Sequence, residues 1–87
     1  MNSTAGKGNN PTLWDKLLND LDEKLQLGLL DKLKRIAAYH FESDILFIQP
    51  GSQEDEDYLK KESVLQQLEL LAQDSVKIDK VKIKKLD

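Results

Sequence analysis

The single histidine is the first residue to consider for chemistry, because imidazole can exchange a proton near neutral pH. His40 lies in a segment where Tyr39 and Phe41 alternate with His40 and Glu42. A catalytic histidine needs a nucleophile to activate or a carboxylate to orient it, and a metal site needs further ligands. The sequence indicates no such set, so we expect His40 to face solvent or to pair across a hairpin.

A run of carboxylates is the second candidate for chemistry. Gln53 is followed by Glu54, Asp55, Glu56 and Asp57. A short acidic run without a shaped loop binds divalent cations weakly. The run directly precedes a predicted helix, and the N-terminal end of a helix favours negative charge. We therefore interpret these carboxylates as part of a helix start and predict no metal site.

The remaining residue types that carry chemistry form no motif. The chain has no cysteine, which excludes disulfides and thiolate metal sites. Its glycines match no phosphate-binding loop, and no nucleophile elbow is present. Ser43-Asp44 has the composition of a turn. We predict a domain that is not an enzyme and has no catalytic residues, no cofactor and no small-molecule ligand.

Length and composition are typical of one small globular domain. The chain has 87 residues, of which 39% are hydrophobic and 33% charged. The net charge of −3 argues against broad electrostatic capture of nucleic acid. No apolar run approaches the roughly 18 residues of a membrane span, and no signal core is present. We expect a soluble cytoplasmic protein that makes no membrane contact.

Two amphipathic helices are predicted before any strand. Pro11 suits the first turn of the first helix, and Gly28 marks its end. Its apolar positions recur at spacings of three and four, at Leu13, Trp14, Leu17, Leu18, Leu21 and Leu25. A second, shorter helix has its apolar side at Leu29, Leu30, Leu33, Ile36 and Ala37. The short connection makes the pair an αα-hairpin.

A β-hairpin over residues 38–48 is the segment around which the domain is organised. Three of the four Phe and Tyr residues lie in it, so it can bury most of the aromatic surface. Ser43-Asp44 separates its two strands, and Pro50-Gly51 ends the second one.

A third helix and a last strand complete the prediction. The helix covers residues 56–73, with a possible boundary at Ser63. The strand covers residues 76–86, and its apolar residues change parity halfway, so we expect a bulge or bend near Asp79-Lys80. Its lysines suit an edge strand, where they prevent pairing with other chains. Nucleic-acid contact by these lysines is less favoured, because no aromatic residue interleaves with them.

The predicted order is helix, helix, strand, strand, helix, strand, which is an α+β domain of ααββαβ type. A three-stranded sheet with helices packed mainly on one face closes such a core. We assign residues 11–87 to this single domain. Residues 1–10 contain no large apolar residue, so we predict a flexible tail or the remnant of a linker.

Three residues are candidates for binding a protein partner. Ile45 and Phe47 alternate with Leu46 and Ile48, so one of these pairs is left towards solvent if helices cover one sheet face. The alternative is that loops or the tail cover that pair. Trp14 stands early in the first helix, where it either packs in the core or contacts a partner.

From residue 13 to residue 86 the chain resembles two related bacterial replication modules. One is the C-terminal domain of the DNA polymerase III gamma/tau subunit, which belongs to the clamp loader; the other is the KH-like N-terminal domain of the replication initiator DnaA. The matching stretches are Leu13-Trp14, Ser43-Asp44-Ile45-Leu46-Phe47-Ile48, Tyr58-Leu59-Lys60-Lys61-Glu62 and Val76-Lys77-Ile78. The second tryptophan expected of the initiator domain is missing, which favours the clamp-loader module.

The resemblance implies a KH-like domain that mediates protein–protein interaction. As a clamp-loader module it would tether the polymerase III catalytic subunit, or alternatively the replicative helicase, to the loader. As an initiator module it would self-associate through the first helix, including Trp14, and recruit helicase. A KH-type nucleic-acid binder is the remaining alternative, although the Gly-x-x-Gly loop that clamps the backbone is missing. We therefore expect no direct nucleic-acid contact.

Overall fold

Four helices and three strands form the domain. A computed structural model describes residues 7–85 of the chain. Within them the elements are α1 (Pro11–Glu23), α2 (Leu27–Lys34), β1 (Ala38–Glu42), β2 (Ile45–Gln49), α3 (Gln53–Lys60), α4 (Glu62–Val76) and β3 (Lys80–Ile83). The predicted α+β class with a three-stranded sheet is confirmed.

The sheet has the order β1-β2-β3, so β2 is its central strand. β1 and β2 are antiparallel and connect through Ser43-Asp44, where Ser43 has a positive φ of 54°. β3 runs parallel to β2, which requires a crossover, and α3 and α4 provide it. The predicted hairpin and its turn are confirmed.

The helices pack on one face of this sheet. Leu46 and Ile48 of β2 have no exposed surface, and neither has Leu17, Leu21, Leu33, Leu59 or Leu68 from the helices. Trp14 of α1 stacks on Tyr39 of β1 with ring centroids 4.5 Å apart, and Phe41 meets the edge of Tyr39 at 5.7 Å. Tyr39 is therefore the hairpin aromatic that lies fully in the core, with Phe41 partly buried beside it, whereas the third hairpin aromatic, Phe47, lies on the other face of the sheet.

The predicted third helix is two helices. Lys61 has an extended ψ of 133° and separates α3 from α4, two residues before the suspected boundary at Ser63. The start at residue 56 is wrong, because the Ser52 hydroxyl accepts the backbone N–H of Asp55 and begins the helix at Gln53. The acidic run therefore forms the first turn of α3.

The last strand is shorter than predicted. α4 continues to Val76 and ends at Lys77, which adopts the left-handed conformation with φ of 61°. Val76 and Ile78 are therefore not part of β3, and the change of parity in the sequence needs no bulge. Residues 86 and 87 lie outside the described residues.

Residues 7–10, which we predicted as part of a flexible tail or linker remnant, lie against β1. Tyr39 N–H donates to the Lys7 carbonyl at 3.0 Å, and the Asn9 side-chain amide both donates to and accepts from the Phe41 backbone at 2.7 and 2.8 Å. A Cβ at position 8 would lie 2.5 Å from the Tyr39 carbonyl oxygen, so Gly8 permits this approach. This segment covers the outer edge of β1. Residues 1–6 lie outside the described residues.

The end of α1 is also different from the prediction. Gly28 lies inside α2, and the left-handed residue that ends α1 is Leu25, with φ of 57°. Gln26 N–H donates to the Leu21 carbonyl and Leu25 N–H to the Asp22 carbonyl, which is a Schellman motif. Leucine occupies the position where glycine is usual, although its Cβ is disfavoured there.

A partly buried ion pair joins α3 to the end of α2. Arg35 donates from Nε and an Nη atom to the two carboxylate oxygens of Asp55 at 2.7 and 2.8 Å. Asp55 has no exposed surface, whereas the Arg35 side chain is 49% exposed. The hydrogen bonds from Arg35 hold the pKa of Asp55 below its usual value. This ion pair holds the first turn of α3 against the segment between α2 and β1.

Replacing Leu25 by glycine tests the strain at the end of α1. Leu25→Gly is expected to raise the free energy of unfolding by up to about 1 kcal/mol, because glycine adopts positive φ without steric cost. Urea unfolding followed by circular dichroism measures the change. Leu25→Ala is the matched control, since it shortens the side chain but keeps the Cβ. Equal free energies of unfolding for the two variants would contradict the claim that the backbone at Leu25 is strained.

Replacing Asp55 tests the ion pair through its pH dependence. Asp55→Asn is expected to lower the free energy of unfolding at neutral pH by about 1–3 kcal/mol. Because the pKa of Asp55 is lower in the folded state, its contribution is present above the unfolded pKa and is lost as the pH falls through the folded pKa. The difference from wild type should therefore shrink in acid.

Urea unfolding at a series of pH values between neutral and strongly acidic checks this prediction. Asp31→Asn is the control, because Asp31 also contacts Arg35 at 3.2 Å but its side chain is 62% exposed. A difference between Asp55→Asn and wild type that stays constant across the series would contradict the assigned role.

Candidate functional site

The face of the sheet opposite the helices is the candidate site. Side chains alternate along a strand, so the burial of Leu46 and Ile48 directs Ile45 and Phe47 to the other face. We define the open sheet face by the side chains on that side, which are Ala38, His40, Glu42, Ile45, Phe47, Gln49, Lys80 and Lys82. Each of them is exposed or partly exposed in the described part of the chain.

Phe47 lies at the centre of the open sheet face. The pairing register places His40 on one side of it and Lys82 on the other. The His40 ring is 6.2 Å from the Phe47 ring, and the Lys84 ammonium is 5.7 Å from the Phe47 ring centroid. The ring is therefore surrounded by basic side chains, while its outer surface remains partly exposed.

Ile45 lies beside Phe47 on the same face of β2, two residues closer to the turn. Glu42 stands opposite it on β1, and Lys80 stands opposite it on β3. Ile45 and Phe47 thus form a short apolar strip along the central strand. The structure brings these two sequence-predicted residues together on the uncovered face.

The charge of the open sheet face is opposite to that of the whole chain. Lys80 and Lys82 belong to it and Lys84 reaches over it, whereas Glu42 is its one carboxylate and lies 3.4 Å from His40. The chain as a whole carries −3. A partner with negative charge and apolar side chains complements this face.

Sequence reasoning missed the contact between Phe47 and the lysines. We expected no aromatic residue near them because none interleaves with them along the chain. The residues come from different strands, and the parallel pairing of β3 with β2 places Lys82 beside Phe47. The alternation of Lys80 and Lys82 with Val81 indicates that the two lysines share one face of the sheet. Only the strand pairing shows that Phe47 lies on that same face.

Trp14 is not on this face, nor on any surface. It has no exposed area, and it is covered by the Tyr39 ring and by neighbouring core residues. Burial also raises the pKa of the Tyr39 hydroxyl. The prediction of Trp14 as a partner contact is therefore corrected, and its alternative, a position in the core, holds.

The geometry of the open sheet face suits a macromolecule more than a small ligand. The hollow beside Phe47, between Ala38, Gln49 and Lys84, has a volume of about 50 Å³. Sites for small molecules usually enclose several hundred Å³, roughly 300 or more. His40 is exposed and its closest carboxylate is Glu42. Within residues 7–85 no group of three His, Asp or Glu side chains could hold a metal ion.

No family model, curated protein or solved structure matches this chain. The resemblance to the replication modules therefore stays a prediction that depends on short sequence patterns. Among the described residues, no helix combines the length and the apolar character that crossing a membrane requires.

Neighbouring residues of β2 allow a test of which face is open. Leu46→Ala is expected to lower the free energy of unfolding by about 2–5 kcal/mol, because it leaves a cavity in the core. Phe47→Ala removes a larger side chain but is expected to cost only about 1 kcal/mol, because part of the ring already contacts water. Urea unfolding measures both variants, and a larger loss for Phe47→Ala would show that this face is covered.

Proposed function

We propose that this chain is a non-catalytic interaction domain that binds another protein through the open sheet face. The observation that carries the proposal is Phe47, a partly exposed aromatic residue at the centre of the sheet, with Lys82 and Lys84 beside it. Aromatic residues at the centre of a contact area often supply much of the binding free energy. The partner segment should therefore combine apolar side chains with carboxylates.

The two kinds of side chain have different roles in this proposal. Burial of Ile45 and Phe47 against the partner supplies affinity, since it removes apolar surface from water. Lys80, Lys82 and Lys84 surround that strip and attract a negatively charged segment, which raises the association rate and restricts the choice of partner. Affinity should therefore depend on Phe47, and its dependence on salt should come from the lysines.

The resemblance suggests the biological setting of this interaction. We propose that the domain acts in bacterial DNA replication, in the cytoplasm, where it tethers the polymerase III catalytic subunit or the replicative helicase to the clamp loader. The initiator alternative, with self-association through Trp14, receives no support because Trp14 is buried. The proposal needs no nucleotide in this domain.

A single-stranded nucleic acid is the second candidate partner. It is favoured by one observation, the basic side chains around the Phe47 ring, since such surfaces stack bases and neutralise phosphates. Against it stand the net charge of −3 and the lack of a Gly-x-x-Gly sequence. The two candidates differ in how steeply their binding depends on salt.

Binding of purified proteins tests the proposal. The chain is expected to bind the polymerase III catalytic subunit or the replicative helicase, and Phe47→Ala should weaken that binding by roughly tenfold, as expected for a central aromatic residue. Lys82→Ala should weaken it less and reduce its dependence on salt. Isothermal titration calorimetry measures each affinity, with Gln66→Ala, an exposed change on α4, as the control.

A titration of single-stranded DNA at low and moderate salt runs in parallel. Binding of DNA with a steep salt dependence, together with loss of that binding in Phe47→Ala, would favour the second candidate over the first. Binding of the protein partner that is unchanged in Phe47→Ala would exclude the open sheet face as its site.

A further inference from the structure

The two outer strands of the sheet differ in what covers their free edges. β1 and β3 are the outer strands, because the order is β1-β2-β3. On β1, the Tyr39 N–H donates to the Lys7 carbonyl at 3.0 Å. The Asn9 side chain pairs with the Phe41 N–H and carbonyl at 2.8 and 2.7 Å. An edge whose backbone groups are already paired offers no template for a further strand, so β1 is closed to strand addition.

β3 has backbone groups that point away from the sheet. The Lys84 N–H donates inward, to the Ile48 carbonyl at 2.7 Å. The Val81 N–H donates outward, to the Glu69 carboxylate of α4 at 3.0 Å. Because the direction of these groups alternates along a strand, the N–H and the carbonyl of Ile83 also point outward.

Side chains of α4 cover only part of this edge. The Gln73 side-chain amide donates to the Asp79 carbonyl at 2.8 Å, and Glu69, one turn earlier, accepts the next outward N–H. The residue that continues this series is Leu65, four positions before Glu69, and its side chain has no polar atom. Among residues 7–85 the outward N–H of Ile83 has no hydrogen-bond partner. The edge is therefore covered near Asp79 and open at Ile83.

Three exposed lysines line this edge, at positions 80, 82 and 84. Within the described part of the chain, none of them forms a salt bridge with a carboxylate. Basic residues on the helical side, such as Lys24 and Lys60, do pair with carboxylates. The positive charge at β3 is thus not neutralised by the chain itself, although the chain carries −3.

The two sides of β3 favour different side chains in a neighbouring strand. Lys80 and Lys82 lie on the open sheet face, whereas Val81 is buried and Ile83 partly buried on the side of the helices. Side chains on the same face of adjacent strands lie next to each other. A strand beside β3 would therefore be favoured by carboxylates at the open-face positions and by apolar side chains at the positions between them.

The same lysines select against a second copy of this chain. Two β3 strands placed side by side would bring lysines against lysines, and like charges in adjacent strands are destabilising. Lysine on an edge strand is a common protection against such pairing. For an acidic segment the same charges are attractive, so the edge discriminates between occupants by their charge.

We propose that the outer edge of β3 accepts an extended segment of another protein as a fourth strand, in which acidic and apolar side chains alternate. The segment would pair with the Val81 carbonyl and with both backbone groups of Ile83. Its carboxylates would face Lys80 and Lys82, and its apolar side chains would cover Ile83. This site is the edge of the sheet, whereas the proposed function uses the open sheet face, so the two are tested separately.

A synthetic peptide of about eight residues, in which glutamate alternates with valine, is the probe; a strand of this length matches typical strands. NMR of the ¹⁵N-labelled chain is expected to show saturable shifts at the amides of residues 81–85 and slower hydrogen exchange at Ile83, with little change at residues 38–42. The matched peptide with lysine in place of glutamate should bind at least about tenfold more weakly, because the lysines of β3 repel it.

Two N-methylated isomers of the peptide separate strand pairing from attraction between side chains. One isomer carries its methyl groups on the valine nitrogens and the other on the glutamate nitrogens, so both keep every side chain. The N–H groups of successive residues in a strand point to opposite sides, so only one isomer loses its hydrogen bonds to β3. That isomer should bind about tenfold more weakly or worse, and the other should bind like the unmodified peptide.

Two variants of Glu69 test the covered part of the edge. Glu69→Ala and Glu69→Gln remove the same charge, but glutamine keeps an acceptor for the Val81 N–H. Glu69→Ala frees this N–H for the peptide and should bind it roughly two- to tenfold more tightly than Glu69→Gln. Circular dichroism checks that both variants fold. Lys82→Ala should weaken binding, whereas Gln66→Ala, an exposed change on α4, should not.

Four outcomes would overturn the proposal. The first is equal binding by the two N-methylated isomers. The second is equal binding by the two Glu69 variants. The third is a loss of peptide binding in Phe47→Ala as large as in Lys82→Ala, because the peptide would then lie on the open sheet face; wild-type binding by Phe47→Ala is expected. The fourth is association of the chain without peptide that slows exchange at Ile83, because the occupant would then be a second copy.

Discussion

The alternation of side chains along the central strand is the constraint on which the rest of the structure depends. Leu46 and Ile48 are fully buried under the helices, and this leaves Ile45 and Phe47 no position except the opposite face. A shift of register by one residue would exchange the two pairs and bury a different set. The core and the candidate site are thus two consequences of one strand, and neither can change without the other.

The same constraint separates the charges of the molecule. Val81 of β3 is buried, so Lys80 and Lys82 face the side of Phe47, and a chain of net charge −3 acquires a basic face. Most of the acidic residues in the described part of the chain lie on the helices. The basic character of the open sheet face is therefore a local property that the net charge does not indicate.

The open sheet face costs the isolated domain little, because Ile45 and Phe47 occupy ordinary strand positions. The outer strands are also partly satisfied at their edges, since Asn9 pairs with the Phe41 backbone and the Glu69 carboxylate accepts the Val81 N–H. Left-handed backbone conformations are found instead in the connections between elements, at Leu25, Ser43 and Lys77.

Periodicity in the sequence was sufficient for the α+β class, the hairpin with its turn and the sheet with helices on one side, because burial imposes a period of about two on strands and 3.6 on helices. It also singled out Ile45 and Phe47 by parity.

The ends of the elements were less predictable. Ser52 begins α3 earlier than the predicted residue 56, Lys61 divides the long helix, and Leu25 ends α1 in place of Gly28. These depend on single backbone conformations that a hydrophobic pattern does not encode. Only the tertiary structure brought Lys82 and Lys84 to Phe47 and buried Trp14 under Tyr39, since each of these contacts joins segments far apart in the chain.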